Sequence, residues 1–119
     1  MNKVILMGRF VSDPEIRDTG KGKDALAVAN FTLAVDRGDK DHTADFIRCV
    51  AFGQRANFIS EYFSRGQRAL VEGKWQTGHY DDKDGETHYT NDCYIFNIEF
   101  ADSKKEPEEK DDKKKGRRR

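Results

Sequence analysis

The chain has 119 residues, 35% hydrophobic and 37% charged, with 22 basic and 22 acidic side chains and a formal net charge of zero. That length fits one small domain plus a tail, and balanced charge gives nucleic-acid binding no support unless cations cluster locally. No stretch approaches a membrane span, and Val4-Ile5-Leu6-Met7 is far too short for a signal-peptide core.

The zero hides two parts. Residues 1–103 carry 13 basic and 17 acidic side chains, whereas residues 104–119 carry 9 and 5. Cys49 and Cys93 both lie inside apolar runs, too far apart for metal-ligand spacing. Buried free thiols in a reducing, cytoplasmic compartment are the expectation.

Asn2 to Val11 reads as a first strand, ended by Ser12-Asp13-Pro14, where proline removes a ladder donor. Glu15 to Asp24 reads as a polar loop with two glycines. Ala25 to Val35 alternates as a half-buried second strand, with Ala29, Phe31, Leu33 and Val35 on one face. A charged loop, Asp36 to Thr43, leads to a third strand, Asp45 to Phe52. There Phe46, Arg48, Val50 and Phe52 share a parity.

Gln54 to Arg65 has helical spacing: Ala56, Ile59 and Phe63 form the apolar stripe. Gly66 stands where a left-handed C′ residue is wanted, with Arg65 in the last turn. Arg68 to Tyr80 reads as a long fourth strand. Ala69, Val71 and Trp75 share one parity; Leu70, Glu72, Lys74, Gln76 and Tyr80 share the other. Gly73 sits mid-strand, where a missing side chain permits a bend or a close backbone approach. Asp84-Gly85 between strand-like runs signals a hairpin. The last strand runs from Thr87 to Ala101, with Tyr94, Phe96, Ile98 and Phe100 on one parity.

The order is strand, strand, strand, helix, strand, strand. That predicts an all-β fold: a five-stranded oligonucleotide/oligosaccharide-binding (OB) barrel, one short helix between the third and fourth strands, and a projecting β-hairpin. The domain is expected over residues 1–103. Residues 104–119 hold no large apolar side chain and are expected to be a disordered charged tail.

Enzyme signals are absent: there is no Gly-x-Ser-x-Gly, P-loop or Gly-x-Gly-x-x-Gly. No cofactor is implied. His42, His79 and His88 share no metal or triad spacing, and His79 with His88 reads as a cross-strand surface pair on the hairpin. Binding signals are better. Rings accept bases by stacking, and cations track phosphates. Phe46, Arg48 and Phe52 on the third strand, with Lys74 and Tyr80 on the fourth, fit that use. Taken alone, Phe46 and Phe52 are each more often core residues.

A series of blocks goes further. Asn2-Lys3-Val4-Ile5-Leu6-Met7-Gly8-Arg9, Asp13-Pro14-Glu15, Val28 to Val35, Ala44-Asp45-Phe46-Ile47, Phe52-Gly53 and Val71-Glu72-Gly73 occur in order. Gln76-Thr77-Gly78, Tyr80, Asp84-Gly85, Tyr89-Thr90 and Asp92 follow them. Together they resemble bacterial single-stranded DNA-binding proteins over about residues 1–103. The resemblance implies single-stranded DNA bound without strong sequence preference, in replication, recombination and repair. It implies stacking at Phe46, Phe52 and Tyr80, and basic contacts at Lys3, Arg48 and Arg65, which Lys74 joins on its strand position. Trp75 is carried as a further binding candidate, although its parity argues for packing. The resemblance also implies a homotetramer, with Asn2 and Leu70 near subunit contacts.

The sequence departs from that pattern in three places. The Asp36 to Thr43 loop has no aromatic, and Gly78 stands where many members have arginine. Family members commonly end in an acidic tip that docks replication and repair proteins, whereas this sequence ends Lys113-Lys114-Lys115-Gly116-Arg117-Arg118-Arg119. Two other readings stay open on the residues: a protein-interaction module with weak nucleic-acid binding, favoured by the acidic excess of residues 1–103, and an RNA-binding barrel of the cold-shock type.

Overall fold

A computed structural model of the chain describes residues 1–20 and 26–102. Six strands and one helix follow in the order β1 (Val4–Phe10), β2 (Glu15–Thr19), β3 (Leu26–Asp36), β4 (Ala44–Phe52), α1 (Gln54–Tyr62), β5 (Arg68–Asp81) and β6 (Thr87–Phe100). The sheet runs β1-β5-β6-β4-β3-β2, and an added β1–β3 pairing closes five of the strands into a ring. All neighbours are antiparallel except β4 and β6. This is the expected OB barrel, with α1 between its third and fourth ring strands. The tail lies outside the described residues. Among those described, no helix is long and apolar enough to cross a membrane.

The strand β2 stands where a polar loop is expected. All five of its side chains are exposed, so it carries no alternation to read. Its backbone supplies the reason: Glu15 to Thr19 pair with Asn30 to Leu26, continuing along β3 the edge that β1 covers at Leu33 and Ala34. An otherwise open row of backbone donors and acceptors is satisfied this way.

The core lies inside the ring. Phe31, Cys49, Cys93 and Val71 are buried, as are Phe10 and Leu33. Cys49 and Cys93 are free and face each other across the parallel β4–β6 pairing. Hydrogen bonding to Cys93, together with burial, holds the Cys49 thiol protonated. The helix plugs one end through Ala56 and Ile59. It is shorter than its periodicity predicts. Phe63 is already extended, with φ −117° and ψ 143°, and its ring stacks on Phe100 at 4.4 Å and on Phe10 at 5.2 Å. Burying that ring ends the helix at Tyr62. Gly66 does take a positive φ of 90°, but as part of the turn that Ser64 and Gln67 close at 3.1 Å, not as the helix C′ residue. Arg65 therefore lies outside the helix.

The long hairpin of β5 and β6 is bent by a bulge. Glu72 pairs with Asn97 but Gly73 with Ile95, so Phe96 is the extra residue. A Cβ on Gly73 would collide with the Tyr94 carbonyl, so the close approach needs glycine. The bulge also reverses the parity of β6. Cys93 and Ile95 face inward before it and Ile98 after it, while Phe96 is exposed. The expected single apolar face of Tyr94, Phe96, Ile98 and Phe100 is thus split.

Candidate nucleic-acid interface

The bulge and the parallel pairing together give the β4–β6–β5 wall one continuous outer face. On β4 that face carries Phe46 and Phe52, 66% and 39% exposed, with Arg48 between them. Their neighbours Cys49 and Ala51 point into the core, which fixes the outward parity. On β5 it carries Lys74, Gln76 and Tyr80, and across the ladder on β6 stand Tyr94, Asp92 and His88. Tyr80 is 56% exposed. From Lys74 to Tyr80 the strand covers about 20 Å, a span of several nucleotides.

The rows of this face hold one another in place. Phe52 lies against Tyr94, ring centroids 5.6 Å apart and tilted by 34°. Tyr94 pairs with Val50 on one side and Lys74 on the other, joining the β4 rings to the β5 cation. Arg48 Nε lies 3.5 Å from Asp92 Oδ1. That oxygen is buried and accepts no hydrogen bond among the described residues, so Arg48 is the charge that offsets it. Tyr80 stacks on His88 at 5.1 Å.

The sequence candidates divide accordingly. Phe46, Arg48, Phe52, Lys74 and Tyr80 share the outer face. Trp75 does not: it is on the inner parity, packed against the core, and its Nε1–H donates to Asn91 Oδ1 at 3.2 Å. Lys3 is half-exposed and bound 2.6 Å from Glu72. Arg65 lies at the opposite end of β5 from Tyr80, its backbone N–H donating to Asp13 Oδ1 at 2.9 Å. Tyr94 is the residue that sequence reasoning missed as a platform member. Its shared parity with Asp92 was the available signal, masked because Phe96, Ile98 and Phe100 continue the same count past the bulge. His79 and His88 do not pair with each other. His79 meets Tyr89 and His88 meets Tyr80 on opposite faces of the hairpin.

At the hairpin tip, Asp82 Oδ1 accepts the N–H groups of Asp84 and Glu86, each at 2.9 Å, and Oδ2 accepts from His88 Nε2 at 2.7 Å. The His88 ring, then the Glu86 amide, hold the Asp82 carboxyl below the usual carboxylate range. Rings flanked by cations along an extended strand can hold a flexible polyanion that carries planar groups.

A family model described as the single-strand binding protein family matches residues 1–101. The chain belongs to that family. A single-stranded DNA-binding protein of Clostridium perfringens is 45% identical over 104 residues, which is 87% of this chain and 67% of that one. One from Fusobacterium nucleatum is 41% identical over 110 residues, covering 87% and 69%. Single-stranded DNA-binding protein 3 of Listeria innocua is 39% identical over 108 residues, covering 87% and 66%. This single-strand binding family chain thus spans about two thirds of the length of those relatives. The matched residues 1–101 contain the whole ring and the outer face just described.

Proposed function

We propose that this chain binds single-stranded DNA without strong sequence preference, protecting and organising it during replication, recombination and repair, and that it is a binding protein and not an enzyme. The observation that carries the reading is the shared outer face of Phe46, Arg48, Phe52, Tyr94, Lys74 and Tyr80, in a chain of the single-strand binding protein family. The rings stack on bases, and every base offers a π-face, so little sequence is read. Arg48 and Lys74 meet phosphates. Lys3 and Arg65 extend the path away from this wall as secondary contacts. Residues 1–103 act as the binding unit. That role implies a cytoplasmic, nucleoid-associated protein, with replication and repair proteins as neighbours on the DNA.

The assembly we propose is a homotetramer. Ile5 and Met7 on β1 and Leu70 on β5 are exposed apolar side chains, and the outer edge of β1 from Val4 to Gly8 pairs with no strand among the described residues. An open edge beside apolar surface favours self-association. Sedimentation velocity at micromolar concentration should give a tetramer; a stable monomer removes this part.

The function is tested by titrating labelled single-stranded DNA, duplex DNA and single-stranded RNA of one sequence at two salt concentrations. Single-stranded DNA should bind tightest and weaken with salt. Equal or tighter RNA binding moves the reading to an RNA-binding barrel. No salt-sensitive binding to any of them leaves the protein-interaction module.

A further inference from the structure

Tyr80 does not stand alone on the hairpin. Directly across the ladder His88 lays its ring against it, centroids 5.1 Å apart and planes 21° from parallel. The imidazole is fixed from its other side, Nε2–H donating to Asp82 Oδ2 at 2.7 Å. Asp82 is fixed by the turn, where its Oδ1 takes two backbone N–H groups. The turn is closed by Asp82 N–H to the Glu86 carbonyl at 2.9 Å and Gly85 N–H to the Asp82 carbonyl at 3.0 Å, with Gly85 at a φ of 83°. Turn, carboxylate, imidazole and phenol thus form one continuous chain of contacts. A ring backed on one face has one face left for a ligand.

We propose that His88 is a positioning residue for Tyr80, and that protonation of His88 tightens the hairpin's hold on single-stranded DNA. The inference rests on the DNA-binding reading above. Backing Tyr80 restricts its rotamers before a base arrives, so less freedom is lost on binding. An imidazolium against the phenol face is a cation–π arrangement, and it adds positive charge beside the passing backbone. The charged groups around the ring are few and named. Asp82 and Glu86 bring oxygens within 4.8 Å of it. Asp81 is engaged by the Thr87 hydroxyl at 2.8 Å, and Lys83 and Asp84 belong to the turn. Further along β6 on the same face, Asp92 is held against Arg48. A phosphate entering this stack attracts the imidazolium and not the neutral ring, so binding takes up a proton. By linkage, affinity rises as pH falls and the imidazole gains its proton.

The test measures the anisotropy of a labelled oligothymidylate with the full chain at pH 8 and pH 6, at constant ionic strength. The unsubstituted protein should bind roughly two- to fivefold tighter at pH 6, the size of one exposed charge–phosphate pair. His88→Phe keeps a backing ring but neither the proton nor the Asp82 hydrogen bond; it should bind more tightly than His88→Ala and show no pH response. His88→Ala should bind more weakly at both values. His42→Gln and His79→Gln should keep the response. The proposal is overturned if His88→Phe still gains affinity at pH 6, or if His88→Ala binds like the unsubstituted chain throughout. Failure of the unsubstituted protein to bind at either pH removes the DNA-binding reading itself, and this inference with it.

Discussion

The two faces of the β4–β6–β5 wall make opposite demands on their aromatics, and substitution should separate them. Phe46 is two-thirds exposed on the outer face, at 66%. Cutting its ring to a methyl opens no cavity, so Phe46→Ala should stay within about 0.5 kcal/mol of the parent in stability. One stacked base contributes about 1–3 kcal/mol. The dissociation constant for single-stranded DNA should therefore rise about 5- to 140-fold. Trp75 should behave in reverse. A fully buried tryptophan cut to alanine costs about 3–5 kcal/mol. Trp75 is half-buried against the core and tied to Asn91, so about 2 kcal/mol is expected. In a domain of this size that lowers Tm by about 8–16 °C. Its DNA affinity should change little below the melt. Circular dichroism melts and oligonucleotide anisotropy on both variants give the comparison. The chain has one tryptophan, so intrinsic emission adds a direct reading. Saturating oligonucleotide should quench it little, because a base cannot stack on an inner-face indole. Strong quenching, or unchanged affinity in Phe46→Ala, would refute the assignment of faces.

Gly73→Ala should destabilise the barrel by about 1–3 kcal/mol in urea unfolding, because the added methyl meets the Tyr94 backbone and not a side chain that could swing away. Removing residues 104–119, which carry 9 basic and 5 acidic side chains, should weaken single-stranded DNA binding at low salt and flatten its salt slope. Tighter binding after removal would mean that Glu106 to Asp112 dominate the tail as competitors. Acid should loosen the loops. The Gly38 amide and His42 lower Asp36, Arg37 lowers Asp45, and His88 lowers Asp82. A folded pKa below the unfolded value gives stability that is present above about pH 4 and is lost as pH falls through the depressed value. Amide protection factors in Asp36–Asp45 and Asp81–Thr87, corrected for the intrinsic exchange rate at each pH, should fall between pH 5 and pH 3, and equal protection at both would contradict these pairings.

Much of the barrel was legible because its strands alternate. Phe31 and Leu33 on β3, and Ala69 and Val71 on β5, announce a buried face by parity alone. Three features escaped for separate reasons. The strand β2 buries no side chain, so only its backbone pairing reveals it. The helix end is set by Phe63 stacking with Phe100 and Phe10, partners 37 and 53 residues away in sequence, which no local window contains. The bulge at Phe96 inverts the parity of β6, which hid Tyr94 among apparent core residues. Regular alternation made the shared parity of Phe46, Arg48 and Phe52 on β4, and of Lys74 and Tyr80 on β5, readable, but not which face turns outward; that came from the resemblance. Trp75 was readable as packed by the same count.

Charge and stacking divide the work unequally on this surface. The described part of the chain is acidic overall, and four of its eleven lysines and arginines are drawn to carboxylates: Lys3 to Glu72 at 2.6 Å, Arg37 to Asp45 at 2.7 Å, Arg9 to Asp102 at 3.7 Å and Arg48 to Asp92 at 3.5 Å. A phosphate reaching Arg48 must compete with Asp92, so that contact exchanges one ion pair for another and its net gain is small. The rings face no such competition. Phe46 and Tyr80 expose apolar surface that water solvates poorly, and a base covers it without displacing an anion. Affinity on the barrel should therefore rest mainly on stacking, with cations setting the path of the backbone more than the strength of the hold. Under that division a ring in the wrong orientation is costly, which is why a hairpin that fixes Tyr80 through His88 and Asp82 matters more here than one further lysine would.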